Sequence, residues 1–119
     1  MILSPTQMQA LADDMRRRFE SNAMAMLREA FPESTARHPD DTLRLFVRHG
    51  IERARLAGIE TVSEVERWLR LMMRLGPYFD VDETLSEVRA ALLGDLELYG
   101  PFRLDAAEAL AERIATASA

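Results

Sequence analysis

The 119-residue chain contains neither cysteine nor lysine. Without a thiol, disulfides, thiolate metal sites and nucleophilic cysteine chemistry are excluded, and a reducing compartment suits the composition. Without lysine, every basic side chain is arginine. A GC-rich coding sequence accounts for that, and so does selection for planar guanidinium groups that pair bidentately with carboxylates; composition alone does not separate the two. Long apolar runs are missing as well. None approaches the ~20 residues of a membrane-spanning helix, and the opening MILSPTQMQALADDMRRR lacks the basic start, apolar core and small-residue cleavage site of a signal peptide. The expectation is a cytoplasmic, unprocessed chain outside the membrane.

The 48% hydrophobic and 29% charged content is that of a globular protein rather than a disordered one. The length suits one domain over 1–119, with a frayed tail at 116–119. A net charge of -5 opposes long-range attraction to nucleic acid or anionic lipid.

The apolar periodicity is helical throughout, and stop and start signals divide it. Ser4-Pro5-Thr6-Gln7 combines an N-cap, a first-turn proline and a capping-box partner. Met8, Leu11, Met15, Phe19, Ala23, Met26, Leu27 and Ala30 then recur at three-and-four spacing as one stripe expected to be buried, and Phe31-Pro32 ends the helix. Glu33 to Pro39 reads as a loop. A second helix begins at Asp40-Asp41, carries Gly50 inside it, and stops at Ala57-Gly58. Gly50 costs about 1 kcal/mol relative to alanine, which close packing of a neighbouring helix would explain as well as simple tolerance. Thr61-Val62-Ser63-Glu64 is a second capping box, with Ile59 placed to staple against Val65. The pattern predicts helices at 5–30, 41–57, 62–75, 83–93 and 106–116, the last capped by Asp105 after a break at Gly100-Pro101, with Leu110 and Ile114 facing inward. The expected fold is all-α, a compact orthogonal or bundle-like domain of about five helices.

Catalytic and metal-binding patterns are absent. Asp80, Asp82, Thr84 and Ser86 alternate like calcium-loop ligands, but Leu85 stands where the loop glycine belongs and Ala91 where the bidentate acid belongs. His38 and His49 have no ligand-spaced carboxylate and no glycine-bracketed serine to serve. Neither enzymatic activity, a metal nor a cofactor is expected.

Surface chemistry is more informative. Residues 1–75 hold 12 arginines against 11 acids, while 76–119 hold 3 against 9. A partner-binding surface is expected on the second and third helices and the loop after them, formed by Arg44, Arg48, Arg55, Arg70 and Arg74 with Met73, Tyr78 and Phe79 as apolar anchors, because interfaces are enriched in arginine, methionine and aromatics, although two loop aromatics such as Tyr78 and Phe79 more often plug a core between helices. The competing reading is a solvated basic face neutralised by the acidic C-terminal third. Met24, off the central stripe, is another candidate for a partner contact.

Residues 48–80, RHGIERARLAGIETVSEVERWLRLMMRLGPYFD, carry a further signal in Gly50, Ile51, Arg53, Ala54, Gly58, Ile59, Thr61, Glu64, Val65, Leu71, Met72, Leu75, Gly76, Phe79 and Asp80. With SPTQMQAL and Phe31-Pro32, this pattern resembles small helical proteins encoded beside spike-tip (PAAR-type) and effector genes in bacterial type VI secretion clusters. Trp68 stands where a tyrosine is expected. The resemblance implies a non-enzymatic accessory, adaptor or chaperone-like protein whose partner is an effector, spike or toxin protein, and it transfers no catalytic residue. The alternatives are an immunity protein that masks a cognate toxin and, less favoured by the charge, a nucleic-acid-binding helical regulator.

Overall fold

The computed structural model describes residues 4–117. Among them there is no strand. Six α-helices run in order: α1 (Pro5–Ala30), α2 (Pro32–Ala36), α3 (Asp40–Leu56), α4 (Val62–Leu75), α5 (Ser86–Leu93) and α6 (Gly100–Ala117), with a 3-10 turn at Glu83–Leu85 leading into α5. The protein is all-α. It divides into two units, 1–47 and 48–119, the boundary falling inside α3.

In the first unit the expected capping box closes α1: Ser4 Oγ accepts the Gln7 amide at 3.2 Å, and Gln7 Oε1 accepts the Ser4 amide at 2.8 Å. The segment expected to be a loop after Pro32 forms the single-turn helix α2. Pro32 starts a helix here rather than only ending one, since a first-turn proline lacks only an amide that would go unused, and Thr35 returns both its amide and its hydroxyl to the Phe31 carbonyl. Arg28 then clamps the turn into α3, donating to the carbonyls of Thr35 and His38 at 2.9 and 3.0 Å and to the Asp40 carboxylate at 2.7 Å. Glu20 is fully buried and accepts from Arg44 at 2.9 Å, so its charge is compensated where an unpaired carboxylate would cost several kcal/mol. The α1 stripe is corrected in its first half: Met8, Leu11 and Met15 are exposed, and burial begins with Glu20, Ala23, Met24 and Leu27. Periodicity finds a helix's apolar face but not whether anything covers it. Met24 belongs to the core.

In the second unit, α3 ends in a full Schellman motif. The Ile59 amide bonds the Ala54 carbonyl and the Gly58 amide bonds the Arg55 carbonyl, with Gly58 at φ 75° where a side chain would be strained. Gly50 is explained by packing: a Cβ there would overlap Leu69 Cδ2 and lie 2.7 Å from Met72 Sδ, and both side chains are buried. Of the second expected capping box only half forms: Thr61 caps α4 by accepting the Glu64 amide at 3.4 Å, and the Glu64 side chain does not return to the Thr61 amide. The Glu64 carboxylate lies against Gly100 at the start of α6, where the helix dipole favours negative charge. Trp68 and Phe79, both buried, meet with ring centroids 5.0 Å apart. Beside them Arg53 donates from Nε and Nη2 to Oδ2 of the buried Asp80 at 2.8 and 2.5 Å. Asp82 caps the 3-10 turn, its carboxylate held below the usual range by the Thr84 hydroxyl and amide.

The last helix departs most from the expected boundaries. It begins at Gly100, not 106, because Pro101 occupies its first turn and so starts it. Asp105 is no cap. The inward face is Arg103, Leu104, Ala107 and Ala111, while Leu110 is half-buried and Ile114 exposed. Thr116 and Ala117 are helical; the rest of the tail expected to fray, 118 and 119, lies outside the described residues. Arg103, 3% exposed, donates from Nη1 to the carbonyls of Ala57 (2.9 Å) and Leu92 (2.8 Å) and from Nε to that of Leu98 (2.9 Å). It thus ties the ends of α3 and α5 and the loop after α5 to α6. It forms no ion pair among the described residues; the carbonyl ends of two helices carry the compensating partial charge.

Two outcomes check this packing by urea unfolding monitored through the fluorescence of Trp68, the sole tryptophan. Arg103→Met keeps the apolar stem but orphans three carbonyls, so unfolding free energy should fall by about 3–5 kcal/mol; a loss under ~1 kcal/mol contradicts the role assigned to the guanidinium. Gly50→Ala gains about 1 kcal/mol of helix propensity, yet overpacking costs about 1–3 kcal/mol. The variant should therefore be less stable by about 1 kcal/mol, and a raised urea midpoint would contradict the packing.

Candidate protein-binding groove

Arg67, Arg70 and Arg74 recur at i, i+3 and i+7 and so share one face of α4. Their surroundings differ. Arg67 is bound by Glu108 through Nε (3.1 Å) and Nη2 (2.5 Å) and by Asp105 at 2.5 Å. The Glu108 hydrogen bonds above all raise its pKa beyond the ordinary arginine value; partial burial opposes the shift and Asp105 adds to it. Arg74 reaches Glu112 only at 3.5 Å, with both side chains largely in solvent, so that pair contributes little. Arg70, half-buried, has no ion-pair partner among the described residues.

These side chains line a groove along α4 and α6. A cavity of about 220 Å³ is bounded by Arg67, Arg70, Leu71, Arg74 and Glu108. Next to it a larger one, about 500 Å³, is bounded by Arg74, Leu75, Ala111, Glu112, Ile114 and Ala115. Arg74 borders both, so the two are consecutive sections of one groove, the first charged and the second mostly apolar. A carboxylate entering the first section finds in Arg70 a cation not already committed to an acid, and an aliphatic or aromatic side chain fits the second.

Of the eight residues expected to form a partner surface, the structure brings Arg70 and Arg74 together here, with the half-buried Met73 on the same helix. The others have different surroundings. Arg44 lies in the first unit, bonded to Glu20 and to Ser21 Oγ. Arg55 is exposed and paired with Glu52, whose pKa its hydrogen bonds lower. Arg48 is exposed on α3. Tyr78 is exposed, its ring edge-on to His49 with centroids 4.7 Å apart, and His49 Nε2 lies 3.0 Å from the Pro77 carbonyl oxygen. Phe79 is corrected from surface anchor to core: it is 1% exposed and packed on Trp68, since an aromatic just after Gly76-Pro77 folds back under the helix those residues end.

The sequence pattern does not place the α6 wall, Glu108, Glu112 and Ile114, because it turns Ile114 inward. The i, i+3, i+7 run of Leu104, Ala107 and Ala111 is the signal that another face is buried. Among the described residues no group of three or more His, Asp or Glu is arranged to hold a metal ion, and no helix is long and apolar enough to cross a membrane. Neither a family model, a curated protein nor a solved structure matches the chain.

Proposed function

We propose that the chain is a non-enzymatic protein-binding accessory, adaptor-like or chaperone-like, that serves an effector or spike protein of a bacterial type VI secretion system, and that its partner docks in the α4–α6 groove. The observation that carries the binding reading is Arg70: a half-buried arginine that lines the groove with no acid partner among the described residues, between two arginines and next to an apolar section of the same groove. Desolvating a cation without pairing it is unfavourable, and a carboxylate brought by a partner relieves that cost. Assignment to a secretion cluster rests on the resemblance in residues 48–80. Much of that pattern does structural work here: Gly50 admits Leu69 and Met72, Gly58 completes the Schellman motif, Thr61 caps α4, and Phe79 and Asp80 lie in the core.

The test is affinity capture from the native organism and identification by mass spectrometry, comparing the wild type with an Arg70→Glu, Arg74→Glu variant. Reversing charges that meet a partner carboxylate costs about 2–4 kcal/mol, so capture of a partner encoded near the gene should fall by at least ~30-fold while the urea midpoint stays within error. Equal capture by the variant, or no effector, spike or toxin among the captured proteins, would overturn the proposal.

A further inference from the structure

The connection between α5 and α6 displays apolar side chains. Leu96, Leu98, Tyr99 and Phe102 fall within seven residues and are each between 46% and 63% exposed, and the Tyr99 and Phe102 rings meet edge-on with centroids 5.3 Å apart. Four large apolar side chains exposed within one short segment are more than the single scattered ones that a monomer surface ordinarily carries.

Two features show that this patch is built and what it fits. First, it is held. Arg103 fixes the Leu98 carbonyl from within the core, the Leu98 amide bonds the Asp95 carbonyl, and the Phe102 and Arg103 amides both return to the Tyr99 carbonyl. Ordering a loop before binding removes an entropic cost from the binding step. Second, its nearest uncompensated charges are acidic. Asp95 and Glu97 are exposed within the loop and the Glu64 carboxylate lies against Gly100, whereas Asp105, one turn into α6, is already paired with Arg67. The sole cation of the segment, Arg103, is buried.

We infer that Leu96, Leu98, Tyr99 and Phe102 form a second docking surface, separate from the groove, whose occupant is a basic amphipathic helix of another protein: apolar residues on one face for the patch, arginine or lysine at its borders for the acidic rim. Amphipathic helices are read through such anchors at three-and-four spacing. An acidic rim repels both anionic lipid and a second copy of the same rim. The buried area is below that of a standard interface, so binding is weak and reversible, with a dissociation constant on the order of tens of micromolar. Together with the groove, which takes a carboxylate-bearing segment, this gives one small chain two surfaces of opposite electrostatic preference, as an adaptor joining two partners requires.

The probe is a synthetic peptide about four helical turns long, with leucine on one helical face and arginine on the other, titrated into the isotopically labelled full chain and tracked by amide chemical shifts. The expected result is a set of shifts concentrated at residues 95–105, at least tenfold weaker binding when glutamate replaces the peptide's arginines, and at least a tenfold loss for the Tyr99→Ser, Phe102→Ser variant with an unchanged urea midpoint. Shifts centred elsewhere, or full binding by the variant, overturn the inference. So does concentration-dependent dimerisation in sedimentation, or co-pelleting with phosphatidylserine vesicles, if the same two substitutions abolish it, because the patch would then serve a second copy or a membrane.

Discussion

One buried guanidinium organises the second unit. Arg103 meets the carbonyls at the ends of α3 and α5 and the carbonyl of Leu98 with a single planar fork, and helix ends leave such carbonyls unsatisfied. Three chain segments that end in different parts of the sequence are thereby referred to one side chain on α6. The same contact reaches the surface. By fixing Leu98 it determines where Tyr99 and Phe102 stand, and by anchoring the first turn of α6 it sets the wall of the groove that Ala111, Glu112 and Ile114 complete.

The chain uses arginine repeatedly in this way. Arg28 in the first unit ties two carbonyls and one carboxylate across the turn from α1 to α3, Arg44 neutralises the buried Glu20, Arg53 holds the buried Asp80, and Arg67 joins α4 to α6 through two acids. A rigid fork reaches several acceptors at once, whereas a flexible ammonium has no preset geometry for doing so. This gives the all-arginine composition a structural use that composition alone leaves open. It also sharpens the meaning of Arg70, since Arg67 and Arg74 on either side of it along α4 both have acids within reach.

How much of this the sequence carries depends on the distance over which the cause acts. Caps and stops are local, and they are legible: Ser4 with Gln7, Thr61 with Glu64, and Gly58 as the left-handed terminus of α3 are where the sequence places them. Proline is ambiguous between two local roles. Pro32 and Pro101 interrupt the segments before them and also start the helices after them, so a reading of proline as a stop alone passes over α2 and the first two turns of α6. Burial is less legible. The Met8, Leu11 and Met15 stripe has the period of a covered face and is exposed, and of the two adjacent loop aromatics, either of which could plug the core, Phe79 is buried and Tyr78 is not. The groove needs Arg70 and Ile114, on different helices far apart in the chain, to be brought side by side, and no periodicity within one helix encodes that. Charge asymmetry between the two parts of the chain is visible in the sequence, but which arginines are bound by acids, as Arg67 is, and which, like Arg70, have no ion-pair partner among the described residues is not.

Binding on this reading rests on preorganisation: a core arginine and a pair of helices present two small surfaces in fixed form, one suited to an acidic segment and one to a basic amphipathic helix. Backbone order in the α5–α6 connection of the free protein measures this most directly. Amide relaxation at residues 96–102 should give order parameters near those of the flanking helices, about 0.85, because Leu98, Tyr99 and Asp95 are all tied by backbone or arginine hydrogen bonds. Order parameters below about 0.6 across the same residues would mean that Arg103 does not fix the loop, and would contradict a prebuilt binding surface.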